Sequence, residues 1–188
     1  MYLSEVHAGG ADNAIILGQY LAKIIINKRT MIAQFAGQGY LLIGADYFGL
    51  GISTEPEGYM VKGSHQQATF DLLMASRAVL EQMKLDSHHL FLAGWSQGGF
   101  VTMAFLEKLE ATGIKVDAAV TASAPLDVYA LMQGFLVYPR RFDALWLNSI
   151  MILSSFAYEH YYGVKLPRMI DQGLLVGRRH GEHESVHV

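Results

Sequence analysis

Apolar positions along the chain change period several times, and each change marks an element. Tyr40-Leu41-Leu42-Ile43-Gly44-Ala45-Asp46 is an apolar run with no polar alternation. A strand covered on both faces reads this way, as in parallel sheets. From Gln66 to Met83, the residues Phe70, Leu73, Met74, Val79 and Leu80 recur at helical spacing and predict a helix. Leu90 to Ala93 reads as a second buried strand, and Val116 to Ala122 as a third. Between them, Gly98 to Glu110 reads as a helix that Gly113 ends. Nearer the N-terminus, Ala14 to Ile26 fits a helix capped by Asp12 or Asn13. Thr30 to Gln38 fits the end of a helix closed by Gly39. Tyr47 to Gly58 is rich in Gly, Ser, Thr and Pro and predicts a loop. Strands and helices alternate at a spacing that suits right-handed crossovers. The expected class is α/β, with a mainly parallel sheet flanked by helices.

After Pro125 the pattern changes. Leu126 to Tyr162 is dense in aromatic residues, among them Tyr129, Phe135, Tyr138, Phe142, Trp146, Phe156, Tyr158, Tyr161 and Tyr162. It predicts helices packed on or over the sheet. Each aromatic has two readings: ordinary core, or a cap lining an apolar pocket. Residues 177–188 read as a solvated tail. Its His180, His183 and His187 offer a helical spacing for metal, but Gly181 and the terminal position argue against a metal site. No internal repeat or linker breaks the chain. The expected organisation is one domain over 1–188, with a core over 31–125, cap-like helices over 126–170 and the tail.

Composition narrows the function. The chain has 188 residues, 52% of them hydrophobic and 16% charged, enough for a sizeable core. A net charge of −3 with scattered basic residues gives no reason to expect nucleic acid or an anionic membrane as partner. The absence of cysteine excludes disulfides, thiolate metal sites and a cysteine nucleophile. No apolar run reaches membrane-spanning length, and residues 1–30 lack the pattern of a secretory signal. A cytoplasmic location is the default expectation, and no cofactor is implied.

The most informative stretch is His89-Leu90-Phe91-Leu92-Ala93-Gly94-Trp95-Ser96-Gln97-Gly98-Gly99. A short apolar run ends in Gly-x-Ser-x-Gly, and an apolar segment of helical spacing follows. This arrangement predicts a nucleophile elbow, a sharp strand-to-helix turn with the Ser96 hydroxyl at its apex. Gly94 and Gly98 are expected where a Cβ would strike a neighbouring strand or helix. The Gln97 N–H, at a helix N-terminus, is expected to point where an oxyanion would form.

These motifs resemble the α/β-hydrolase superfamily, and within it the bacterial lipase and secreted-esterase-like members. Ala45-Asp46-Tyr47-Phe48-Gly49-Leu50-Gly51-Ile52-Ser53 is similar to the family's Asp-x-x-Gly-x-Gly-x-Ser loop, and Gly94-Trp95-Ser96-Gln97-Gly98-Gly99 to its elbow. Ser123-Ala124-Pro125 fits as well, and the resemblance covers residues 31 to 130. It implies Ser96 as catalytic nucleophile and Gln97 as an oxyanion donor. It gives Asp46 a structural role, with its carboxylate satisfying loop N–H groups. Val6-His7-Ala8-Gly9-Gly10 faintly resembles the His-Gly loop that supplies the second oxyanion N–H. Glu55 and Glu57 read as solvated loop charges.

A serine of this kind needs a base and an orienting acid, in the order Ser, Asp or Glu, His. Asp143 and His180 are the spacing-compatible pair, provided Gly134 to Tyr138 is a strand that delivers Asp143 and Gly173 to Val176 a strand that delivers His180. The competing expectation is a chain incomplete at both ends, stopping within or after the cap. An uncovered sheet edge would then favour pairing with a second copy. Two functions stay open. One is a serine hydrolase of small-molecule carboxylic esters, with amidase or peptidase activity as its nearest variant. The other is a hydrolase-fold chain without turnover.

Overall fold

The structure, a computed structural model, describes residues 2–4, 35–36, 38–138, 140–141, 143 and 147–164. Three parallel strands, β1 (Tyr2–Ser4), β2 (Phe91–Trp95) and β3 (Ala118–Ala122), form a sheet in the order β1-β2-β3. Tyr2 pairs with Leu92 and Ser4 with Gly94, while Phe91 pairs with Ala118 and Trp95 with Ala122. The long connections that parallel strands require hold the helices. These are α1 (Lys62–Gln82) before β2 and α2 (Gln97–Ala111) before β3. Then come α3 (Val128–Val137) and α4 (Leu147–Tyr162).

Helix α2 is the hub. It packs on all three strands and on α1. Two core clusters meet along it. Phe100 and Val101 join Tyr47, Leu50, Met60, Val61 and Ala157. One to two turns later, Phe105 and Leu109 join Leu73, Leu90 and Leu92. The helix ends as its sequence requires. Gly113 adopts φ +72°, and the Ile114 N–H donates to the Leu109 carbonyl at 2.9 Å. The cap-like region is helical, as expected. α4 buries Ser154 and Ala157, and it is tied to the 47–61 loop by two tyrosines. The Tyr161 hydroxyl donates to Pro56 O at 2.8 Å and the Tyr158 hydroxyl to Met60 O at 3.3 Å.

The fold departs from expectation at four places. Residues 40–46 make an isolated bridge at Ile43 rather than a strand, and Tyr40 and Leu41 are exposed. An apolar run becomes a strand only where it finds a ladder. The segment expected as a strand over Gly134 to Tyr138 lies in and just after α3. Asp127 starts that helix, accepting the Ala130 N–H at 2.8 Å. β1 was not expected, because three residues show no periodicity. Finally, α1 buries Ser64, His65, Ala68, Thr69 and Leu73, whereas Met74 and Val79 are exposed. Its inward face is half polar and offset from the apolar stripe. Residues 14–26, the loop over 6–10 and the tail lie outside the described residues.

Candidate active site

Ser96 stands between the last residue of β2 and the first of α2, with φ 54° and ψ −119°. A β-carbon-bearing residue pays about 1–3 kcal/mol for such a conformation and keeps it only where its surroundings impose it. Here they do. The Ser96 N–H donates to the Ala122 carbonyl at 2.9 Å, which ties the turn to the end of β3. The Ser96 carbonyl accepts from Gly99 N–H at 2.9 Å and Phe100 N–H at 3.2 Å, starting α2. A Cβ on Gly94 would run into the Gly98 carbonyl and the Thr102 hydroxyl. One on Gly99 would meet Ala124. The strand, the helix and the Ser123-Ala124-Pro125 segment therefore approach one another through bare backbone.

Gln97 is 1% exposed, and its side-chain amide is buried with neither end hydrogen-bonded among the described residues. Its backbone N–H opens the helix and has no acceptor there among the described residues. It lies in the positive field of the helix N-terminus. The Ser96 side chain is half-buried beside Trp95, which is 66% exposed.

The remaining predicted residues scatter. The Asp143 carboxylate accepts the Arg140 N–H at 2.7 Å, and the Asp143 N–H donates to Arg140 O at 3.0 Å. It closes a local turn and does not follow a strand. His180 and the 6–10 loop lie outside the described residues. Among the described residues Asp46 does not satisfy the loop amides. Its carboxylate packs against Gly51, and the Ser53 hydroxyl accepts the N–H groups of Gly49 at 3.0 Å and Glu55 at 3.3 Å. Among the described residues no cluster of His, Asp or Glu is arranged to hold a metal ion.

Two groups carry charge behaviour that the sequence does not announce. Glu57 is half-buried rather than solvated, and desolvation pushes its carboxyl up to about 7. Gly49 lies close against it, since a Cβ there would overlap the Glu57 backbone. His65 is 0% exposed, and both ring nitrogens lack partners among the described residues. Burial lowers it to about 4.

No family model matches the chain, and no curated protein matches it. Solved structures do. One is the rice cell wall degrading esterase LipA from Xanthomonas oryzae, 30% identical with a TM-score of 0.56, the match covering 78% of this chain and 40% of that one. Another is a Legionella pneumophila protein described as a candidate hydrolase, 24% identical with a TM-score of 0.61, covering 68% of this chain and 34% of that one. The chain carries the α/β-hydrolase fold. It spans between a third and two fifths of the length of these neighbours. Among the described residues no helix is long and apolar enough to cross a membrane.

Proposed function

We propose that this chain is a serine hydrolase of the esterase type, acting on small carboxylic esters. The observation that carries the reading is the enforced conformation of Ser96 at the β2–α2 turn. Ser96 Oγ attacks the acyl carbon, and its proton passes to a base. The carbonyl electrons move onto oxygen, which faces the Gln97 N–H. Collapse of this intermediate releases the alcohol with the transferred proton. Water then repeats the sequence and frees the carboxylic acid.

β1 ends at Ser4, opposite Gly94, so the chain leaves that strand at the Ser96 end of the sheet. This supports the backbone of Val6-His7-Ala8-Gly9-Gly10 as the source of a second oxyanion donor. His180 is the first candidate for the base. Asp143 is a poor candidate for the acid, because its carboxylate is engaged in its own turn. The aromatic helices α3 and α4 favour an apolar acyl group, as in lipases. The name of the Xanthomonas esterase supports an ester over an amide or peptide.

The test is hydrolysis of p-nitrophenyl butyrate by the folded chain and by Ser96→Ala. Turnover that the substitution abolishes is expected, with His180→Ala examined next. Equal background from both proteins would favour the alternative, a hydrolase-fold chain without turnover.

A further inference from the structure

We propose that a cleft at the opposite end of the sheet from Ser96 binds a small carboxylate with a short aliphatic tail. Leu90 precedes β2, and Asp117 precedes β3. Ser96 follows the last of the five residues of β2, so the two places are separated by roughly 16 Å of strand. The cleft encloses about 140 Å³ and lies between α1, the 41–43 segment and the residues just before β2 and β3. It is smaller than the ~300–1,000 Å³ typical of drug-sized ligands, which limits an occupant to a few heavy atoms.

Its chemistry is divided. Leucines 73 and 90, both buried, form an apolar floor with Ile43 and Leu80. Arg77, His88, His89 and Lys115 supply donors at the rim. The single acid lining it, Asp117, is already engaged. It accepts the Leu90 N–H at 2.9 Å and Lys115 Nζ at 2.8 Å, with His89 Nδ1 at 3.4 Å. Those partners hold its carboxyl down to about 2, the Lys115 hydrogen bond foremost, so it stays charged and matched.

Arg77 is different. Among the described residues its guanidinium makes no hydrogen bond or ion pair. It lies on α1 one turn from both Leu73 and Leu80, at the i−4 and i+3 positions that share a helix face. A planar guanidinium beside leucines suits a carboxylate whose alkyl chain rests on the floor. A phosphate dianion would bring a second negative charge towards Asp117, which favours the monoanion. This site does not depend on the esterase reading. A carboxylate is, however, what ester hydrolysis would release.

The experiment is a titration of the full chain with sodium butyrate, followed by backbone amide NMR. Saturable shifts are expected at Arg77, Leu90 and Lys115. Arg77→Gln should weaken binding by about tenfold, the loss of one charge-assisted pair, with its amide spectrum otherwise retained. Arg77→Lys should keep part of the affinity, and neutral butyramide should give no saturable shift. Shifts confined to the surroundings of Ser96 would overturn the proposal. So would unchanged affinity in Arg77→Gln, or inorganic phosphate binding as tightly as butyrate.

Discussion

The His65 ring stands edge-on to Tyr47, with centroids 4.6 Å apart and planes at 69°. Phe100 lies on it as well, at 6.1 Å and 78°. A neutral imidazole tolerates this aromatic enclosure, but an imidazolium without water or a counter-charge does not. Between pH 6.5 and about 4, the unfolded chain therefore takes a proton that the folded chain refuses. The contribution of His65 is complete above pH 6.5 and is lost as the pH falls towards 4. The whole loss is on the order of 3 kcal/mol. His65→Leu should remove this dependence. Between pH 7 and pH 5, urea unfolding should show the change in stability of the variant lying above that of the parent by about 2 kcal/mol. Equal changes in both proteins would mean that His65 does not resist protonation.

At the turn from β2 into α2, Gly94→Ala should destabilise the fold by about 2 kcal/mol, lowering Tm by about 4–8 °C. The new methyl must displace the Gly98 carbonyl, and with it the first turn of α2 and Ser96. The proposed ester hydrolysis should fall with stability. Gly63→Ala is the matched control. It lies in α1 with open space where its Cβ would go, so it should stabilise by about 0.5–1 kcal/mol. Thermal melts of the two variants should therefore move in opposite directions. A Gly94→Ala protein as stable as its parent would show that the helix start has room to give.

How much of this was legible beforehand depends on the kind of signal. The strand-to-helix turn at Ser96 was, because Gly94, Ser96 and the glycines after it sit at fixed offsets where only local backbone matters. The alternation that places β2, α2 and β3 was also readable, to within a few residues. Partnership was not. Residues 40–46 look like a buried strand, yet pair at Ile43 alone among the described residues. Gly134 to Tyr138 has the apolar content of a strand, but the Asp127 cap draws it into a helix. The inward face of α1 was hidden because His65, Ser64 and Thr69 do not look like core residues. His65 is covered by Tyr47 and Phe100, distant in sequence. Glu57 was hidden for the same reason, since Gly49, from another part of the loop, lies against its backbone.

Asp127 also sets a limit on the cap-like helices. Its carboxylate satisfies the Ala130 N–H at 2.8 Å and sits at the positive end of α3. Asp127→Ala should cost about 1 kcal/mol, and Asp127→Asn much less. Hydrogen exchange would localise the effect. Amides of Ala130 and Leu131 should lose protection while those of α2 keep it. An even loss across both helices would mean that α3 unfolds only with the core.

Glu57 titrates against His65 in sign. Its carboxyl is raised to about 7 from an ordinary 4.5, by desolvation. Between these values the folded chain holds a proton that the unfolded chain has released. Its contribution to stability is therefore full below pH 4.5 and declines as the pH rises through 7. Above that, the half-buried carboxylate is charged, and it also raises Tyr59 nearby, whose own burial is the larger cause. Glu57→Gln resembles the protonated form at every pH. It should be more stable than the parent at pH 8 and nearly equal to it at pH 4.5. Because Glu57 gains where His65 loses, the parent protein should show a flat stability curve between pH 7 and pH 5. The single variants should tilt it in opposite directions, His65→Leu upward on acidification and Glu57→Gln downward. Urea midpoints measured at half-unit steps would decide this. A parent curve that falls steeply over that range, with Glu57→Gln parallel to it, would mean that Glu57 is solvated and ionised throughout.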